Sequence, residues 1–213
     1  MTTENSQNNV TAVTQERARA IMGTNFLGIE DVIKHFSVSF TDDEMAALRD
    51  IPFTEAELLE CKDTHVLFPG YPLSILEIQY RVPSNRLRIP YHIPLEDKDF
   101  SKMEKVGLRW YLIRNCSEGR AMAENYWDQI ALLDKTEEVP RACEMIYMIM
   151  LYFMVYQKCL FDNYFVRCKD NSSKGYCVSI GNFHVYLNVC CWDFYVKDGH
   201  IGLATSRKPS LEY

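Results

Sequence analysis

The sequence predicts an α+β fold: N-terminal helices, then one long buried helix at about residues 140–158 packed on a mostly antiparallel sheet. Three observations carry that reading. Met145 to Tyr156 is an unbroken run of twelve apolar or tyrosine residues, the first third holds repeated helix-capping signals, and the last fifty residues alternate between short β-like runs and turns. The run comes first because its length decides between a membrane span and a core. Between Glu144 and Lys158 the charge-free segment is thirteen residues, roughly 20 Å of helix against a hydrocarbon thickness of about 30 Å. A span would also hold Glu144 and Lys158 at the hydrocarbon, which is costly. Pro140 fits a first-turn proline, and Glu137 and Glu138 fit the positive end of the helix dipole. Such a helix, apolar on nearly all sides, is a buried globular one. Met145, Met148, Met150 and Met154 suit an irregular interior, and Tyr147, Tyr152 and Tyr156 each need a polar partner there.

The elements before it follow from local signals. "MTTENSQNNVTAVTQ" is polar and predicts a disordered tail over residues 1–14. A helix starts near Gln15 with Thr14 as cap and Gly23 past its end. A second, "GIEDVIKHF", places Ile29, Val32, Ile33 and Phe36 on one face. Thr41 with Glu44, and Thr54 with Glu57, are two capping boxes on either side of Pro52, which predicts a compact helical hairpin. "HVLFPGYPLSILEIQYRV" reads as strand, turn, strand, and "YRVPSNRLRIPYHIP" as a proline-punctuated loop or edge segment. "VGLRWYLIRN" alternates as a strand and "AENYWDQIALL" as a helix. After the long helix, "NYFVRCKD", "YCVSIGNF", "HVYLNVCCWDFYV" and "HIGLATS" read as an antiparallel meander. No repeat or linker divides the chain, so residues 15–213 are expected to form one domain, helical over 15–63 and sheet-rich over 64–213.

Composition narrows the function classes. An apolar content of 47 per cent supplies a sizeable core. The N-terminus lacks the basic-then-apolar order of a secretion signal, and several of the eight cysteines take the place of small apolar residues, so reduced thiols and a cytoplasmic location are expected. The net charge of −6 is uneven: residues 1–65 carry twelve acids and five bases, and the remainder is nearly balanced. That acidity opposes nonspecific binding to nucleic acid. The segment 81–120 is the exception, with nine bases, five acids and Tyr91, Trp110 and Tyr111 among them, just after Tyr80. Basic side chains among aromatics are one way to hold single-stranded nucleic acid.

Catalytic and metal signals are weak. No Cys-x2-Cys pair, Gly-x-Ser-x-Gly elbow, His-Glu-x-x-His or glycine-rich phosphate loop occurs. Cys168, Cys177, His184, Cys190 and Cys191 crowd the final meander, but Cys190 and Cys191 would face opposite sides of a strand. No metal or cofactor is expected. "CKDTH" is the tightest candidate for nucleophilic chemistry, with Cys61 as thiol, His65 as base and Asp63 to orient it. Against it stands the bland role of Asp63 and Thr64 in ending a helix.

The blocks "GTNFLGIEDVIKHF", "CKDTHVL", "PLSILEI", "EEVPRACEMIYMIM", "YFVRCKD" and "GLATSRK" resemble those of uncharacterised short bacterial proteins of mobile or poorly annotated genomes. The resemblance spans most of the chain beyond residue 15, implies one continuous domain and brings no activity with it. The leading expectation is a non-enzymatic, soluble interaction protein, possessing an acidic surface at Asp42, Asp43, Glu44, Glu55, Glu57 and Glu60 for a basic protein partner, as a mobile-element modulator or inhibitor would. The competing expectation is a small hydrolase or nucleic-acid-acting protein that uses Cys61 and His65, or the basic segment 81–120.

Overall fold

A computed structural model of the chain describes residues 12–89, 102, 104–116, 122–171, 174–183 and 186–210. The first third is helical, as the caps predict. Helices α1 (Gln15–Met22), α2 (Ile29–Phe36), α3 (Asp42–Ala47) and α4 (Glu55–Cys61) follow one another, with a single 3-10 turn at Gly23–Asn25. Thr14, Thr41 and Thr54 cap α1, α3 and α4 by accepting from the backbone N–H three residues on. On α2, Ile29, Val32 and Phe36 are buried as the pattern predicts, but Ile33 is exposed. Residues 1–11 of the expected tail lie outside the described residues. Its last part is not a tail, because Val13 is buried and forms an antiparallel bridge to Ile51.

The next stretch departs from the strand–turn–strand expectation. Strand β1 (His65–Pro69) is present, but the second half is a helix, α5 (Ile75–Arg81). Ser74 accepts from Glu77 N, and the Glu77 carboxylate accepts from Ser74 N at 2.8 Å, a capping box of the same kind as the two read upstream. Gly70 is needed at the bend, since a Cβ there would lie 2.2 Å from the Gly107 carbonyl oxygen.

Two sheets follow. In the first, β1 pairs with β3 (Trp110–Arg114), which pairs with β9 (Ser206–Arg207), which pairs with β4 (Glu137–Glu138), all antiparallel. The second has the order β2 (Leu87–Arg88), β7 (Tyr186–Asp193), β6 (Tyr176–Phe183), β5 (Phe165–Asn171), β8 (Ile201–Leu203). The expected meander holds for β5, β6 and β7. It fails at β8, which runs parallel to β5; at the other edge β2, from the expected loop or edge segment, runs parallel to β7. Helix α6 (Tyr126–Ala131) is capped by Asn125, whose side chain accepts from Trp127 N and Asp128 N.

Helix α7 (Ala142–Tyr156) is the long helix of the prediction, and every residue from Ala142 to Phe153 is buried. Its N-terminus differs from the expectation. Pro140 precedes the cap residue Arg141, and Glu137 and Glu138 form β4 rather than the first turn. The free amides are instead met by Glu144, which accepts from Arg141 N at 2.8 Å, and by Asp170 of β5, which accepts from Ala142 N. Burial raises the Asp170 carboxyl above its ordinary range even so.

Strand alternation explains what α7 is buried against. Val66, Phe68, Tyr111 and Ile113 of the first sheet face α7, in one cluster with Val166, Cys168, Val178 and Ile180 of the second sheet. The alternate residues Leu67, Trp110 and Leu112 turn to the other side, where they meet Ala18, Met22, Leu48 and Leu58 of the N-terminal helices. Helix α7 is thus the shared interior of two sheets. The Tyr147 hydroxyl finds its partner in the Pro69 carbonyl at 3.2 Å and the half-buried Tyr156 finds Phe26 O at 2.9 Å, as buried phenols require. Among the described residues no helix is long and apolar enough to cross a membrane.

Candidate functional site

The six acidic residues read from sequence do three different jobs. Glu44 and Glu57 are structural: Glu44 accepts from Thr41 N at 2.8 Å, and Glu57 accepts from Thr54 N at 2.7 Å and from the Ser210 hydroxyl at 2.6 Å. Glu55 and Glu60 are paired within the molecule. Glu55 meets the Arg17 guanidinium, whose hydrogen bonds hold its carboxyl below the usual range, and Glu60 meets Arg207 at 3.1 Å. Asp42 and Asp43 are exposed in the first turn of α3.

Helix α3 itself is unusual. None of its residues is buried; Met45 is 42 per cent exposed and Ala46 and Ala47 are exposed beside it. The body grips the chain on either side of it: Phe40 ahead of α3 packs against both core clusters, and Leu48 after it is fully buried, its carbonyl accepting from Trp110 Nε1 at 2.9 Å. A six-residue helix is too short to persist on propensity alone, so its capping box and this C-terminal anchor hold it. What remains on its surface is a pair of carboxylates followed by a methionine and two alanines.

The Cys61, Asp63, His65 cluster is differently arranged from the catalytic expectation. Cys61 is buried at the end of α4, and desolvation pushes its thiol up to about 11. His65 is buried at the start of β1. Desolvation first, and then the cations Arg114 and Arg207, push its imidazole down to about 3. At neutral pH the pair is therefore a thiol and a neutral ring, whereas a cysteine nucleophile must be a thiolate. His65 Nδ1 lies 2.9 Å from the Thr64 hydroxyl, and Asp63 is exposed, contributing its main-chain carbonyl to Asn115. The α4 terminus is closed by the Thr64 amide donating to the Cys61 carbonyl at 3.0 Å, so the capping role falls to backbone rather than to the Asp63 side chain.

The thiols of the second sheet are buried or half-buried and free. Desolvation raises Cys177 and Cys190 to about 12 and Cys191 to about 11. Among the described residues no three His, Cys, Asp or Glu side chains gather as a metal site; His184 lies outside them.

The basic segment 81–120 is described only in part, residues 90–101, 103 and 117–120 lying outside, Tyr91 with them. Trp110 and Tyr111 are buried in β3 and unavailable to stack on a base. Its arginines already cover rings: Arg86 lies over Phe153 at 4.3 Å, Arg88 over Tyr186 at 3.6 Å, and Arg109 over Tyr111 at 4.6 Å. Tyr80 is the exposed ring near them, at 79 per cent. An open groove of about 420 Å³ beside Arg88 is lined by Gln79, Leu87, Ile89, Asn188 and Val189.

One surface was missed in the sequence. Trp127 of α6, 54 per cent exposed, packs edge-on against Phe194, and Tyr195 beside it is 74 per cent exposed. Read from its pattern, α6 is simply a helix, and nothing in "AENYWDQIALL" says that its largest ring faces water. Comparison with family models, with curated proteins and with solved structures finds no match to this chain.

Proposed function

We propose that the chain is a non-catalytic binding protein that docks a basic protein partner through α3. The observation that carries this is that α3, of which no residue is buried, presents Asp42, Asp43 and Met45 to water. Exposed carboxylates steer a cationic surface during encounter, and an adjoining apolar side chain supplies area to bury once contact is made. The protonated Cys61 thiol and the neutral His65 ring oppose a nucleophilic role for the α4–β1 junction. Of the sequence-derived surface, Glu55 and Glu60 are secondary here because Arg17 and Arg207 neutralise them. A basic partner is the sort of protein that otherwise grips an acidic polymer, which fits a modulator or inhibitor.

The test is capture from host lysate on immobilised wild-type chain and on Asp42→Lys/Asp43→Lys/Met45→Lys. The wild type is expected to retain a basic protein that elutes as salt rises and that the triple variant fails to hold. Equal capture by both, or a retained partner that is acidic, would remove the proposal.

A further inference from the structure

We propose that the aromatic corner made by Trp127, Phe194 and Tyr195 is a second binding surface, built to take an arginine-bearing segment of a protein partner. It stands apart from α3 and does not depend on it. Three rings are already assembled: Tyr126 stacks on Phe194 at 5.0 Å, Trp127 meets Phe194 edge-on at 5.3 Å, and Tyr126 and Trp127 lie 5.2 Å apart. Tyr126 is buried and anchors the group, whereas Trp127 and Tyr195 are directed to water. Trp127, packed on Phe194, and Tyr195, next to Phe194 in the chain, are both exposed and forgo the burial that such rings ordinarily obtain; these are the residue types that dominate binding energy at interfaces.

The corner is also held firmly from beneath. Arg167 of β5 is fully buried, yet among the described residues its guanidinium donates to no carboxylate. Nη1 donates to Glu124 O at 3.0 Å and to Gln129 Oε1 at 2.8 Å, and Nη2 donates to Val196 O at 2.6 Å. Its Nε is buried with no acceptor. Gln129 Nε2 in turn donates to Ile201 O at 3.0 Å, and Tyr126 N to Phe194 O at 2.9 Å. Burying a guanidinium against neutral acceptors is costly. Here the cost is met by hydrogen bonds that tie Glu124 and Gln129, on either side of Trp127, to Val196, next to Tyr195. A surface fixed in this way loses little conformational freedom when a ligand arrives.

Charge selects the occupant. Glu124 and Asp128 flank Trp127 along the chain and Asp193 and Asp198 flank Phe194 and Tyr195, against Lys197, which bridges Glu124 and Asp128 at 2.8 and 3.3 Å, exposed Lys174, next to the Gly175 whose carbonyl accepts from Phe194 N, and His200, which lies 3.1 Å from Asp198. The excess of carboxylates repels a phosphate backbone and favours a cation over an aromatic face. A guanidinium fits both needs, stacking on the indole while donating to a carboxylate at its rim.

The test is a titration of the full chain with fluorescein-labelled twelve-residue peptides of alternating Arg and Gly or Glu and Gly, and with labelled oligo(dT), read by anisotropy. The Arg–Gly peptide is expected to bind and the other two are not. Trp127→Ala should weaken the Arg–Gly complex by about tenfold, the scale of a desolvated cation–π contact. Trp127→Phe should recover part of the loss, and Tyr80→Ala, which removes an exposed ring belonging to neither surface, should leave binding unchanged. Failure of the Arg–Gly peptide to bind, indifference to Trp127→Ala, preference for the acidic peptide or oligo(dT), or an equal loss in Tyr80→Ala would each overturn the assignment. Each of these outcomes leaves the α3 proposal standing, since that rests on capture by Asp42, Asp43 and Met45.

Discussion

Helices α3 and α7 are opposite solutions to the same problem. In α7 twelve consecutive residues are buried, and its N-terminal amides depend on Glu144 and on Asp170 from a distant strand. In α3 no residue is buried, and its start depends on Thr41 and Glu44, four positions of contiguous sequence. One helix exists because two sheets close over it; the other exists because its own ends are satisfied. The difference teaches where function can reside. A helix enclosed on all sides has no surface to offer, and one that the body does not cover can be altered with little effect on the fold.

The sharpest way to break the comparison is to cut into α7. Ile149 is fully buried in the core cluster to which both sheets contribute. Ile149→Ala is expected to cost about 2–5 kcal/mol in denaturant unfolding, the range for truncating a well-packed core side chain. A change below about 1 kcal/mol would mean that α7 is not the tightly packed interior described here.

Acid is a second probe, directed at β1. The His65 imidazole is held down to about 3 from an ordinary 6.5, chiefly by burial. Between those values the unfolded chain binds the extra proton, so stability is fully present above about pH 6.5 and is lost as pH falls towards 3. At pH 5 the loss from this one group is up to about 2 kcal/mol. Asp170, raised by burial, works in the opposite sense, so the measurement is the difference between wild type and His65→Asn in urea unfolding at pH 7 and pH 5. The variant is expected to lose less on acidification, and an equal loss would contradict the account of β1.

How much of this was legible depends on whether a signal is local. The boxes at Thr41/Glu44 and Thr54/Glu57 are complete within four residues, and both helices stand where they were expected. Ser74 and Glu77 form the same box, but the apolar run "ILEI" behind a proline-glycine turn matched the strand template as well, and α5 was read as a strand. The parallel return of β8 beside β5 could not be read, because alternation specifies faces and not neighbours. The acidic surface was legible as charge and not as availability. Glu60 is neutralised by Arg207, 147 positions away in the chain, and Glu55 by Arg17, 38 away. The exposure of Trp127 was invisible for a related reason, since the pattern of α6 says that it is helical and not which side the sheet will cover.

Amide hydrogen exchange, on the wild type and on Thr41→Ala, tests most directly that α3 is held by its caps and left free by the body. The wild-type α3 amides are expected to exchange by local opening, far faster than those of Ile146–Leu151, which need global unfolding. Thr41→Ala should speed α3 alone, as loss of about 1 kcal/mol of capping would, with α7 unchanged. Protection of α3 equal to that of α7 in the wild type, or acceleration spread across both helices in the variant, would contradict the account and remove the free surface on which the proposed docking stands.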